Sequence, residues 1–299
     1  MAIQKQALLI VNPGSGAGEQ NLDQGLACLR DHGIKVIREK PEGPEHVSGL
    51  MKRYRKQIDR VIIGGGDGSM NMALPGLMQH DLPLGVLPMG TANDLARTLG
   101  IPEDFHKACE IIATGEPRSV DIGEVNGFYF FNVAHVGLAV EVARRSEGQM
   151  KERLGAFAYP YAAWVAFKTR KTFSVTLHSG DESRSLRAVQ VSVGNGRFYG
   201  GGIPIAEDAT IDDGRLDLYA IPSGPGRRIM AMIPALRSGR SKDSQDIVTM
   251  QGETMEIHTR RPKTVSVDGE EMTKTPAKFR VLRGALKVFA PSEQAGLSQ

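Results

Sequence analysis

Residues 60–69 read Arg60-Val61-Ile62-Ile63-Gly64-Gly65-Gly66-Asp67-Gly68-Ser69. A β-branched run ends abruptly in three glycines. A stretch that reads as a helix, Ser69 to Gln79 with Pro75 interrupting it, follows. A strand buried on both faces is apolar along its whole length and hands over to a helix at its carboxyl end, so this segment belongs in an α/β layer. Upstream, Ala7 to Val11 is a short apolar run ending in a Gly-rich turn, Glu19 to Asp31 reads as helix, Gly33 to Glu39 alternates as a strand does, and Pro44 to Gln57 reads as helix again. Downstream come a strand, Leu84 to Leu87, a loop, and a helix over about Asp94 to Leu99. Strands alternating with helices predict a parallel sheet with helices on both faces. Right-handed crossovers then place the loops after the strands on one edge, where ligands bind.

Beyond about Val120 the pattern changes. Strand-like runs dominate: Phe128 to Val133, Thr172 to His178, Leu186 to Val193, Arg215 to Ile221, Thr254 to Thr259, Thr264 to Val267 and Ala277 to Leu282. Asp213-Gly214 and Asp268-Gly269 each sit between β-prone runs, as a tight hairpin connection requires. Helical stretches, Leu154 to Lys168 and Arg227 to Arg237, interrupt the region. The expectation is an antiparallel domain, sandwich or barrel. At 299 residues the chain exceeds what one hydrophobic core serves. Two domains are expected, residues 1–125 and 126–299, with the C-terminal tail free to return to the first.

Composition narrows the function. No stretch approaches the roughly 18 apolar residues of a membrane span, and the first residues lack the features of a signal peptide. Only Cys28 and Cys109 occur, which excludes a disulfide framework or a Cys-rich metal site and fits a reducing compartment. A cytoplasmic protein is expected. A formal charge of +3 is too small to argue for nucleic acid, yet it permits attraction to an anionic membrane surface.

The glycines of residues 64–68 let the backbone approach a phosphate closely and adopt positive φ. The exposed N–H groups and the following helix N-terminus favour an anion. Asp67 then stands beside that anion, which suits a bound Mg²⁺ or base chemistry; a tight turn capped by Asp67 is an equal alternative. A second segment, Leu87 to Arg97, again lies between strand and helix, offering the Thr91 hydroxyl to a phosphate, with Asn93 and Asp94 suited to helix capping. A third, Ala206 to Asp217, holds five acids in twelve residues. Its turn carbonyls and carboxylates suit a hard cation, although a solvated acidic hairpin accounts for it as well. In the fourth, Val265 to Glu270, Glu270 sits just past a turn. No P-loop, protein-kinase set or G-x-G-x-x-G fingerprint is present.

In order along the chain, Val11-Asn-Pro-Gly-Ser-Gly16, Gly65-Gly-Asp-Gly-Ser69, Leu87-Pro-Met-Gly-Thr-Ala-Asn-Asp94, Val193-Gly-Asn-Gly196 with Gly200-Gly-Gly202, Asp212-Asp-Gly-Arg-Leu-Asp217 and Val267-Asp-Gly-Glu270 resemble the motifs of bacterial lipid kinases of the diacylglycerol kinase catalytic-domain superfamily. The resemblance covers nearly the whole chain. It implies a Rossmann-like three-layer α/β domain followed by a β-sandwich, with the active site in the interdomain cleft. It also implies an ATP-dependent kinase acting on a lipid hydroxyl. By the same resemblance Asn12, Gly64, Gly65, Gly66, Gly68, Ser69, Thr91 and Asn93 bind the nucleotide, and Glu270 is the general base, with Asp67 beside it in catalysis. Asp213, with main-chain oxygens near Thr210 and Arg215, holds a structural Mg²⁺, and a second Mg²⁺ arrives with ATP. Ser69 replaces the commoner Thr, while Glu19, Gln20 and Glu39 depart from the pattern near the first loop.

The lipid must be reached from water. Leu154 to Phe167 is aromatic and apolar with basic flanks and suits either an interfacial contact or a buried helix; Arg227-Arg228 and Arg237 to Lys242 are further basic spots. A peripheral protein, transiently at the membrane, is expected, and its edge strands could pair with a second copy. NAD kinases and phosphofructokinases also carry a G-G-D-G turn, so a soluble-substrate kinase is the nearest rival, and a nucleotide-binding regulator without activity is a further one.

Overall fold

A computed structural model describes residues 6–11, 19–140 and 172–291. The stretch Leu154 to Phe167, Asn12 and the last residues lie outside the described residues. The chain divides into two units, residues 1–121 with 283–299, and residues 122–282.

The first unit contains β1 (Gln6–Val11), α1 (Glu19–Asp31), β2 (Lys35–Glu39), α2 (Pro44–Tyr54), β3 (Arg60–Gly65), α3 (Asp67–His80), β4 (Leu84–Pro88), α4 (Asp94–Leu99), α5 (Phe105–Thr114) and the start of β5 (Pro117–Val125). The strands run parallel in the order β2-β1-β3-β4. Every residue of β3 and β4 is buried. Strands covered on both faces read as unbroken apolar runs, which is why the sequence pattern located them. The helices pack in pairs, α1 with α5 and α2 with α3. Helix α3 runs through Pro75 rather than breaking there. A proline costs a helix the N–H that would have reached the carbonyl four residues earlier, and Pro75 sits on the exposed side of α3. Helix α5, which the apolar pattern did not reveal, starts at Asp104, whose carboxylate accepts the Lys107 N–H at 2.9 Å.

The second unit is antiparallel. It holds the end of β5, then β6 (Phe128–Phe130), β7 (Val133–Gly137), β8 (Phe173–Ser179), β9 (Glu182–Gly194), the short β10 (Phe198–Tyr199) and β11 (Ile203–Pro204), and β12 (Leu216–Pro222). After α6 (Gly226–Ser238) come β13 (Val248–Gly252), β14 (Thr254–Thr259), β15 (Thr264–Val267), β16 (Glu270–Lys274) and the first part of β17 (Ala277–Phe289). The order is β16-β15-β7-β9-β8-β14-β17, and β9 also pairs with β12, which pairs with β13. Side chains of these strands close an apolar core that includes Phe130, Val136, Leu177, Val191, Leu218, Ile257 and Phe279. This is the β-sandwich.

The expected strand Phe128 to Val133 is two strands, because Phe131 and Asn132 leave the ladder. Asp268-Gly269 is the expected two-residue hairpin turn, with φ of 44° and 96°, the left-handed pair that a tight turn between twisted strands demands. Asp213-Gly214 is not a hairpin. The strand before it, β11, pairs with β10 and not with β12, and the turn leads the chain into β12, whose partners are β9 and β13. Strand β17 begins beside β14 in the second unit and ends beside β4 in the first, where Val288 pairs in parallel with Leu84.

Gly123 of β5 lies opposite Phe130 of β6. A methyl group at Gly123 would come within 2.3–2.6 Å of three atoms of the Phe130 ring. That ring is fully buried and packs edge-on against Phe279, so it has nowhere to go. Gly123→Ala is expected to destabilise the protein by about 1–3 kcal/mol through overpacking, read as a lower urea midpoint at unchanged slope.

Candidate functional site

In the first unit, two glycine turns leave the carboxyl ends of the neighbouring strands β3 and β4. A Cβ at Gly64 would lie 2.6 Å from Val11 Cγ2, and one at Gly65 would lie 2.2 Å from Ser69 Oγ. A Cβ at Gly90 would lie 2.5 Å from the Cα of Gly66. The two turns therefore touch backbone to backbone, and a side chain at either would hold them apart. None of Gly64, Gly65, Gly66, Gly68 and Gly90 has a left-handed φ. The expectation of positive φ is thus corrected: these glycines serve close approach alone. Gly64 and Gly65 are buried, whereas Gly68 is exposed with no atom near its Cβ position. The start of α3 is a helix N-terminus, which favours an anion, although the Ser69 and Met70 N–H groups already donate to the Gly66 carbonyl at 2.9 and 3.2 Å.

Asp67 opens α3, and its carboxylate reaches across to the next turn. Oδ2 accepts the Asp94 N–H at 3.1 Å and Oδ1 accepts the Leu95 N–H at 3.0 Å. Asp67 is therefore the cap of α4, a task the sequence had suggested for Asn93 and Asp94. Asn93 does occupy the N-cap position, at φ 49°, but its side chain caps nothing. Instead its Oδ1 accepts the Gly90 N–H at 2.9 Å, and its Nδ2 donates to the Gly90 carbonyl at 2.7 Å. Thr91 is left exposed between these fixed points.

In the second unit, Glu270 is the exposed first residue of β16, directly across from Val267. The turn presenting it is anchored by Asp268. Its carboxylate accepts the N–H groups of Phe131 at 2.9 Å, Asn132 at 3.1 Å and Val133 at 2.7 Å. These are the donors that the break between β6 and β7 leaves without a strand partner. Asn195 reinforces the same stretch by donating to the Phe131 carbonyl at 2.9 Å. Sequence reasoning singled out Glu270 and missed Asp268. The available signal was an Asp two residues before it, at a turn position with positive φ.

Close by in chain, His135 of β7 meets Ser192 Oγ at 2.9 Å and Gln190 Nε2 at 3.2 Å through Nδ1, and its ring stands edge-on to Tyr199. Tyr199 and Tyr219 join hydroxyl to hydroxyl at 2.6 Å. Burial pushes the imidazole down to about 4. The ring is therefore neutral near neutral pH.

The acidic turn before β12 is closed on itself. Asp213 accepts the Thr210 N–H at 3.3 Å and the Arg215 N–H at 3.1 Å, and pairs with the Arg215 guanidinium at 3.2 Å. Lys242 holds Asp208 at 2.8 Å and keeps its carboxyl below the usual range. Burial pushes the Asp217 carboxyl up, and Gln251 donates to it. Among the described residues no three His, Cys, Asp or Glu side chains converge on a metal position. What the turn offers is one carboxylate and main-chain oxygens, a donor type that fits a hard cation. The Arg215 side chain competes for the same carboxylate.

Comparison with known proteins gives a consistent result. The family described as the diacylglycerol kinase catalytic domain matches residues 6–125. The YegS C-terminal NAD kinase beta sandwich-like domain matches residues 132–290. "Probable lipid kinase YegS" of Salmonella arizonae is 32% identical over 98% of both chains. "Probable lipid kinase YegS-like" of Enterobacter sp. (strain 638) is 30% identical, again over 98% of both. A crystal structure of a diacylglycerol kinase from Bacillus anthracis str. Sterne superposes with a TM-score of 0.76 at 26% identity, covering 97% of this chain and 98% of that one.

Asp268→Ala would strand three N–H groups of buried residues at once. Since each buried, unsatisfied donor costs about 1–3 kcal/mol, the variant is expected to lose roughly 3 kcal/mol or more, measured by denaturant unfolding. A second expectation concerns pH. His135 takes up its proton at 6.5 when unfolded but only at about 4 when folded. Between those values the unfolded state binds more protons, so stability falls as pH falls through that window. His135→Gln should flatten the profile between about pH 6.5 and 4 in unfolding titrations.

Proposed function

We propose that this chain, which belongs to the diacylglycerol kinase catalytic-domain family, transfers the γ-phosphate of ATP to the hydroxyl of a lipid. The observation that carries the reading is that proteins named as lipid kinases align with it almost from end to end, through both units. A soluble acceptor or a regulator without activity has no comparable support. The acceptor class we propose is diacylglycerol, phosphatidylglycerol or a related lipid alcohol. No helix of the described residues is long and apolar enough to cross a membrane. We therefore propose a cytoplasmic protein that meets its acceptor peripherally. Among the described residues strand β16 ends the antiparallel order and leaves an edge on which a second copy could pair.

Phosphoryl transfer is a matter of positioning and charge neutralisation. In this reading the open turn at Gly66, Gly68 and Ser69, with Thr91 and Asn12, receives the phosphates of ATP. Gly64, Gly65 and Asn93 act through shape, by letting the two turns close on each other. Asp67 holds the second turn against the first, beside the phosphates. Glu270 takes the proton of the lipid hydroxyl as that oxygen bonds to the γ-phosphorus. The bond to the β-phosphate oxygen breaks and ADP leaves. An exposed carboxylate just past a two-residue turn suits this role, because the turn is anchored by Asp268. Asp213, with the main-chain oxygens of Thr210 and Arg215, would hold a structural Mg²⁺, and ATP would bring another. When bound, Mg²⁺ neutralises phosphate charge.

Transfer of labelled γ-phosphate to a lipid panel in mixed micelles tests the reading, with NAD and fructose 6-phosphate as soluble acceptors. Label is expected on a lipid class. Glu270→Gln is expected to lower kcat by about 10²–10⁴-fold with ATP affinity unchanged. Label confined to a soluble acceptor would sink the lipid reading. An unaltered kcat in Glu270→Gln would remove Glu270 from the base role.

A further inference from the structure

Strand β8 reads Phe-Ser-Val-Thr-Leu-His-Ser over residues 173–179. Phe173, Val175 and Leu177 turn into the apolar core, so Ser174, Thr176 and His178 turn outward. The neighbouring strands continue the outward positions across the sheet. Arg187 of β9 pairs with Ser174, and Ser185 pairs with Thr176. On the other side His258 of β14 pairs with Thr176, and Thr259 pairs with Val175. Arg260 is the next residue, which brings it level with Ser174. One row across the three strands is therefore arginine, serine, arginine, and the row beside it is histidine, threonine, serine. These residues line an open groove of about 540 Å³, a volume in the range of small-molecule sites.

Polarity on this face is ordinary, because the outer side of an antiparallel sheet meets water. The charge balance is not. Farther along the same face a second groove, of about 570 Å³, is lined by Glu124, Glu256, Lys278 and Arg280 among others. Its cations are matched: Arg280 pairs with Glu124 at 2.7 Å and Lys278 with Glu256 at 3.4 Å. In the first groove no acidic residue is found among the described lining residues. Its His258 is held from outside by Glu256 at 2.8 Å. Neither Arg187 nor Arg260 has an ion pair among the described residues. Arg187 donates to the Thr172 hydroxyl at 2.7 Å, which steadies the guanidinium and uses one of its several N–H groups. Thr176 and Ser185 meet hydroxyl to hydroxyl at 2.9 Å.

We infer that this groove binds a phosphate ester that carries hydroxyl groups. The backbones of Arg187 and Arg260 lie two strand spacings apart, roughly 10 Å, with Ser174 between them. Both long side chains can meet over a phosphate there, and the guanidinium fork matches phosphate oxygens. Thr176 and Ser185, one row along, would take the hydroxyls of the ester. The chemistry is that of a glycerol phosphate or sugar phosphate, free in solution or as the headgroup of a phospholipid. A nucleic-acid strand fits poorly, since no Phe, Tyr or Trp lines the groove for bases to stack on. The groove is additional to the residues given roles in phosphoryl transfer. Glu270 stands on β16, separated from β9 in the sheet by β15 and β7.

Two probes of the full chain test the site, with ADP and Mg²⁺ present to fill the glycine turns. One is sn-glycerol 3-phosphate, followed by calorimetry. The other is co-sedimentation with vesicles of phosphatidylcholine, with and without phosphatidylglycerol. Wild type is expected to bind at least one probe. Arg187→Gln and Arg260→Gln should each weaken that binding about tenfold. Arg280→Gln, which removes an arginine from the balanced groove, should leave it unchanged. All three positions are exposed, and unaltered thermal midpoints would show that the variants fold. Variant-sensitive binding of free glycerol phosphate upholds the site and names a soluble ester. Variant-sensitive partitioning onto phosphatidylglycerol vesicles, without binding of the free ester, upholds it and names a lipid headgroup. Binding of neither probe overturns the site, as does binding that survives both substitutions or falls equally in Arg280→Gln. None of these readouts involves phosphoryl transfer, so the site can fail while the kinase reading stands, and the reverse.

Discussion

At several points among the described residues where a strand or helix stops short of a partner, main-chain N–H groups are left over, and aspartate carboxylates collect them. Asp67 gathers the two at the start of α4. Asp268 gathers three where β6 and β7 part. Asp213 gathers two around its own turn, and Asp121 accepts the Gly284 N–H at 2.7 Å. An ionised carboxylate makes stronger hydrogen bonds than a neutral acceptor and offers about four lone-pair sites. It can therefore fix two segments of backbone at once. Two of these acids, Asp67 and Asp213, also carry proposed functional roles.

The same constraint shapes the phosphate end of the first unit. Two glycine turns can touch only if neither carries a side chain, and they stay in register only if something spans them. Asp67 does so from one turn, and Asn93 stiffens the other by clasping Gly90 on both its N–H and its carbonyl. What remains exposed after that, Gly68 and Thr91, is what the fold did not need for itself.

Much of the fold was legible because its physics is periodic. The fully buried runs of β1, β3 and β4 and the Asp268-Gly269 turn announce themselves in the residues. Helix α4 was found at its observed limits, Asp94 and Leu99. Other features were hidden because they depend on partners distant in the chain. Nothing near Asp67 in sequence shows that it caps a helix 27 residues later. Asn93 looks like a cap and is a clamp. Asp213-Gly214 has the composition of a hairpin, but only the pairing of β12 with β9 and β13 shows that it joins no hairpin pair. Strand β13 was unread because Val248 to Gly252 carries weak alternation, and its place is decided by β12. The glycines suggested unusual dihedral angles, and proved to be there for space.

Strand β17 carries a consequence for how the chain is made. The sheet of the first unit receives Val288 beside Leu84, residues separated by two-thirds of the polypeptide. A ribosome releases Leu84 long before it reaches Val288, so during synthesis the β4 edge stands open while the whole second unit emerges. The first unit begins to fold first and is finished last. An unpaired parallel edge is the kind of surface that recruits stray strands. The last few dozen residues therefore act as a seal that closes the earliest part of the protein, and a message cut short near its end would leave that part exposed even though every one of its own helices had been translated.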